Sequence, residues 1–79
     1  MPVYSFIWNG PIEEHLAQHG VTPDEFEEVV SDPDDVDQSQ SSGRPIAFGE
    51  TSNGKYLACV YDLLDGLTVL PVTAYEVED

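Results

Sequence analysis

Two histidines stand four residues apart in the stretch Glu13-Glu14-His15-Leu16-Ala17-Gln18-His19. On a helix this spacing puts both imidazoles on one face, where Glu13 or Glu14 could complete a ligand set for zinc. The helical zinc-hydrolase pattern needs a glutamate directly after the first histidine, and Leu16 holds that position. The sequence also has no third histidine. The pair therefore reads as the end of a helix and a corner, with no metal expected. A second acidic stretch, Asp32 to Gly43, offers oxygens to a hard cation. Its register departs from a calcium-binding loop, with Val36 at the fifth position, Asp37 where glycine is required and Gly43 where the closing glutamate belongs. Cys59 has no basic neighbour in sequence and reads as an inert core thiol. No cofactor is expected.

Only Arg44 and Lys55 supply cations, against 16 acidic side chains and a formal net charge of -14. Such a surface repels phosphate backbones and anionic lipid headgroups, which disfavours DNA and membranes as partners. A basic protein is the electrostatic counterpart. Hydrophobic content of 41% belongs to a folded domain, and 79 residues allow one domain with a thin margin of stability. The start, MPVYSFIWNG, has neither a basic segment nor an apolar run of membrane-spanning length. With a single cysteine, a cytoplasmic location is the expectation.

Short elements must position these groups. Val3 to Trp8 is rich in β-branched and aromatic residues and reads as a strand ended by Asn9, Gly10 and Pro11. A helix from Pro11 would align Ile12, His15, Leu16 and His19 on or beside a buried face and stop at Gly20. The next helix has a full start signal: Thr22 as N-cap, Pro23 in the first turn, Glu25 closing a capping box, and Val21 and Phe26 as a hydrophobic staple. Phe26, Val29 and Val30 would point inward, while Asp24, Glu25, Glu27 and Glu28 project mostly into water. Pro33 ends this helix, and residues 32–43 read as a mobile acidic and serine-rich loop.

Three strands follow. Asn53-Gly54 suggests a two-residue type I′ turn, and Asp65-Gly66 marks the next reversal. Lys55 to Asp62 is apolar on both faces, which places it centrally. Pro71 puts the last strand at an edge or gives it a bulge. The tyrosines 4, 56, 61 and 75 and Trp8, without neighbouring cations, read as core or rim residues rather than a stacking platform for bases. Residues 76–79 read as a frayed acidic tail. The expected fold is α+β, with two helices packed on a small antiparallel sheet in the order β-α-α-β-β-β.

In this order the chain resembles the BrnT-like toxins of the RelE/ParE superfamily. The matching pieces are Phe6, Trp8 and Asn9; His19, Gly20 and Val21 before a capped acidic helix; Asp32 and Pro33; Arg44, Gly49, Thr51, Gly54, Lys55 and Leu57 at the family spacing; and Val72, Thr73 and Ala74 in the final strand. The resemblance implies a small metal-independent ribonuclease neutralised by an antitoxin; in such an enzyme Arg44 and Lys55 would hold phosphate and His19 or a tyrosine would move a proton. The sequence departs from the family at Gln18, where a lysine is usual, and after Ala74, where a basic segment is usual and Tyr75, Glu76, Val77, Glu78 and Asp79 stand instead. RNA cleavage needs a base, an acid and cations for the developing phosphate charge. The expectation is therefore a noncatalytic protein-binding module in a toxin–antitoxin context, its partner an antitoxin or another basic protein. The alternative is the ribonuclease itself, with RNA as substrate.

Overall fold

The computed structural model describes residues 4–40 and 42–77. The chain is mixed α+β, with elements β1 (Ser5–Phe6), α1 (Gly10–Gln18), α2 (Pro23–Ser31), β2 (Asp35–Gln38), β3 (Pro45–Glu50), β4 (Tyr56–Leu63) and β5 (Thr68–Glu76). The strands form one sheet in the order β1-β5-β4-β3-β2. All neighbours are antiparallel except β1 and β5, which run parallel through Ser5 opposite Thr68 and Phe6 opposite Val69.

Both helices begin where side chains satisfy backbone donors that no helical turn can reach. The Asn9 side chain accepts the Ile12 N–H at 2.9 Å, one residue earlier than a start at Pro11 would require. For α2 the expected capping box is complete: Thr22 Oγ1 accepts the Glu25 N–H, and the Glu25 carboxylate accepts the Thr22 N–H. The core lies between α1, α2 and one sheet face. Leu16, Val21, Phe26, Val29 and Val30 meet Ala47, Leu57, Cys59, Tyr61, Val69 and Ala74 there. Gly49 permits the close approach of β3 to α2, since a Cβ at that position would stand 3.3 Å from Val29 Cγ1. Trp8 and Phe6 pack edge-on against Phe26, with ring centroids 5.5 and 6.4 Å away, so these aromatics border the core.

Several expectations need correction. The antiparallel sheet is a mixed one, because the N-terminal strand returns alongside β5. That strand covers Ser5–Phe6 only, and Val3 lies outside the described residues. The acidic segment read as loop contains β2, which pairs along its whole length with β3 and gives the order an extra strand. Ser41 of the same segment lies outside the described residues. The Asn53-Gly54 turn is not type I′, which needs positive φ at both residues, since among the described residues positive φ is confined to glycines. Gly54 donates its N–H to the Thr51 carbonyl and adopts φ 90°, while the Thr51 N–H bonds to the Lys55 carbonyl. This is the three-residue connection in which a glycine follows a type I turn. Of the expected tail, Glu76 belongs to β5 and the Val77 N–H reaches the Tyr56 carbonyl. Glu78 and Asp79 lie outside the described residues.

The two options for Pro71 resolve into a bulge. Val60 faces Thr73 but Tyr61 faces Pro71, so one residue of β5, Val72, has no opposite number. β4 is the middle strand of the sheet, as its two apolar faces require.

Candidate functional site

The residues whose chemistry stood out in the sequence sit at two ends of β4. Lys55 precedes the strand, and its Nζ donates to the Gly20 carbonyl at 2.8 Å and stands 3.2 Å from a Glu25 carboxylate oxygen. Because Lys55 reaches the residue after His19, these two groups share one end of the molecule. Arg44, before β3, pairs at 3.0 Å with Asp62 near the other end of β4. At the usual strand rise of about 3.3 Å per residue, Lys55 and Asp62, the partner of Arg44, are ~23 Å apart along the strand backbone. The structure thus brings His19 and Lys55 to one end and leaves Arg44 at the other, each cation already beside a carboxylate.

His15 and His19 are exposed, contrary to the expectation that they lie on or beside the buried face. The helical stripe is narrower than the spacing suggested, and Leu16 alone is fully buried in α1. Their rings pack edge to face with centroids 5.0 Å apart, and His15 Nε2 lies 2.9 Å from Thr73 Oγ1. His19 is the C-cap of α1, its N–H bonded to the Leu16 carbonyl. Among the described residues no group of three or more histidine, cysteine or acidic side chains is arranged to hold a metal ion.

Glu25 is the centre of the better-built cluster, and the sequence reading placed it mostly in water. It is 8% exposed. Its carboxylate accepts from the Thr22 N–H at 3.0 Å, from Asn53 Nδ2 at 2.9 Å and from Lys55. Burial pushes its pKa up, but the Thr22, Asn53 and Lys55 donors together outweigh burial and hold it below the ordinary carboxylate value. Thr51 joins the cluster through its hydroxyl, which donates to the Asn53 side-chain oxygen and accepts the Lys55 N–H at 3.1 Å. The capping box announced the local half of this arrangement. Asn53 and Lys55 come from a hairpin far along the chain, and nothing in the local sequence marks their convergence.

Beside this cluster α2 and the hairpin enclose an open groove of about 460 Å³, lined by Asp24, Glu25, Glu27, Glu28, Ser31, Ser52 and Asn53. Its carboxylates are oriented by neighbours: Trp8 Nε1 donates to Glu27 at 2.6 Å, and the Ser52 N–H to Glu28 at 3.0 Å. A groove of this charge suits a cationic group and repels phosphate. Cys59 is fully buried, and burial together with the negative charge of Glu25 pushes its thiol up to about 12, which leaves no nucleophile at neutral pH. No helix among the described residues is long and apolar enough to cross a membrane.

Comparison of the chain with protein families, curated proteins and solved structures finds no match.

Proposed function

We propose that this chain is a divergent BrnT-like domain that works as a noncatalytic protein-binding module in a toxin–antitoxin context, its partner a basic protein. The observation that carries the reading is the state of its cations. Lys55 is engaged by Glu25 and the Gly20 carbonyl, and Arg44 by Asp62, at opposite ends of β4. Metal-free RNA cleavage concentrates positive charge on one phosphate. Here each cation would have to leave a carboxylate, and the two would still not meet. RNA affinity grows with the number of phosphates neutralised, and the surrounding field opposes even the first. Protein binding makes no such demand, and a surface with a formal net charge of -14 presents charge that a basic partner would meet.

The test is incubation of the purified protein with labelled RNA, with and without EDTA, beside the Arg44→Ala, Lys55→Ala double variant. Circular dichroism checks that the double variant folds. The expected result is neither cleavage nor binding by either protein. Cleavage that survives EDTA and disappears in the folded double variant would establish the ribonuclease alternative, with Arg44 and Lys55 among its working residues.

A further inference from the structure

The helices cover one face of the sheet; the other carries apolar side chains, and at its β5 side α1 reaches Thr73, whose Oγ1 lies 2.9 Å from His15 Nε2. Residues directly opposite in an antiparallel pair share a face. The register therefore lays out two rows across the strands, Asp35–Phe48–Ala58–Tyr75 and Asp37–Ile46–Val60–Thr73. Leu57, Cys59 and Tyr61 occupy the alternate positions of β4 and belong to the core beneath the helices. On this face Ala58 is fully buried, Ile46, Phe48 and Val60 are half-buried, and Tyr75 is 44% exposed. Both rows end in an aspartate on β2. Arg44 approaches this face only in its pair with Asp62.

We propose that this open face binds a basic amphipathic helix from a partner protein, its apolar side on Phe48, Val60 and Tyr75 and its lysines or arginines against Asp35 and Asp37. This rests on the protein-binding reading above and names the surface and the partner chemistry. Charge selects the occupant. A second copy would bring the same aspartates and another net charge of -14 onto the same face, which like-charge repulsion opposes. The hydrogen bonds at the edge select a helix over an added strand. The Ser39 N–H bonds to the Arg44 carbonyl, so by antiparallel alternation the N–H groups of Val36 and Gln38 turn away from β3. Asp35 Oδ1 accepts the Val36 N–H at 2.9 Å, and Asp37 Oδ1 accepts the Gln38 N–H at 2.8 Å. The donors that an incoming strand would use are already taken.

The probe is a synthetic helical peptide with leucines on one side and lysines on the other, titrated into isotopically labelled protein and mapped by amide shifts. A scrambled peptide of the same composition and a peptide with glutamate for lysine serve as comparisons. The expected result is saturable shifts around Phe48, Val60 and Tyr75 with the ordered cationic peptide alone. Tyr75→Lys is expected to weaken binding about tenfold or more, as loss of an aromatic contact and charge reversal at a docking face do. Leu64→Lys, at the exposed β4–β5 turn, is expected to weaken it by less. Shifts confined to Asp24, Glu27 and Glu28 would overturn the assignment of this face while leaving the protein-binding reading standing. So would equal binding of the scrambled peptide, or self-association of the free protein through Phe48 and Tyr75. Absence of any peptide binding, together with RNA cleavage, would remove both.

Discussion

Replacing Glu25 by glutamine tests whether its cluster holds the hairpin to α2 through charge. The glutamine keeps one oxygen for the Thr22 N–H but places an NH₂ donor where Asn53 Nδ2 and Lys55 Nζ now find acceptors. The carboxylate is 10% exposed and the lysine 34%, so a hydrogen bond to a buried charge, about 1.5–3 kcal/mol, must be discounted for solvent around the ammonium and for the cost of burying the carboxylate. The expected loss at neutral pH is roughly 1–2 kcal/mol. In a domain of this size each kcal/mol moves Tm by about 4–8 °C. The pH dependence carries the sharper information. The folded pKa of Glu25 lies below its unfolded value, so between the two the unfolded chain binds more protons and stability rises with pH. The stabilisation is complete above the ordinary glutamate value of about 4.3 and is lost as pH falls through the lower folded value. Urea titrations of both proteins at fixed ionic strength, at neutral and at acid pH, should therefore show a gap that closes on acidification. General charge repulsion changes in both proteins and largely cancels in the difference. A gap of the same size at both pH values, or no gap at neutral pH, would refute the charge argument.

Cys59 should resist iodoacetamide at pH 8 in the folded protein and react fully in urea, because the thiol is buried and its pKa is pushed up to about 12; stoichiometric labelling of the folded protein, read by mass, would contradict this. Gly54→Ala should cost about 1–2 kcal/mol, since φ 90° is strained for an L-residue although no atom stands within 4 Å of the new Cβ. Gly10→Ala, equally free of contacts but without positive φ, should instead be neutral or stabilise by up to about 1 kcal/mol, so equal effects in paired thermal melts would show that backbone angle is not the cause.

The parts of the fold that local chemistry dictates were legible in the residues. Thr22, Pro23 and Glu25 specify the start of α2 whatever packs on it, and an apolar alternation on both faces places Lys55 to Asp62 in the middle of a sheet. Pro71 had to be an edge or a bulge, and the chain takes the bulge. β2 was illegible because Asp-Val-Asp-Gln has little intrinsic strand preference; pairing with β3 and the Asp35 and Asp37 side-chain bonds hold it extended. The parallel β1–β5 pair joins the two ends of the described chain, a contact that no local pattern encodes. The site was partly visible. Arg44, Lys55 and His19 were conspicuous by residue type, but their separation and their carboxylate partners depend on the register of β4. Glu25 carried a local capping signal whose tertiary half was hidden in the hairpin.

The pairing of β1 with β5 also orders events in time. Each hairpin of β3, β4 and β5 closes a short loop, whereas Ser5 meets Thr68 only after nearly the whole described chain has been brought together. Loop-closure entropy makes such a contact a late one. The meander with α2 against it is the natural nucleus, and the N-terminal strand docks onto a sheet already formed. Substitutions at Phe6 should then accelerate unfolding and leave the folding rate nearly unchanged, while those at Leu57 should slow folding. The short parallel strand sets how long the folded state lasts more than how quickly it is reached.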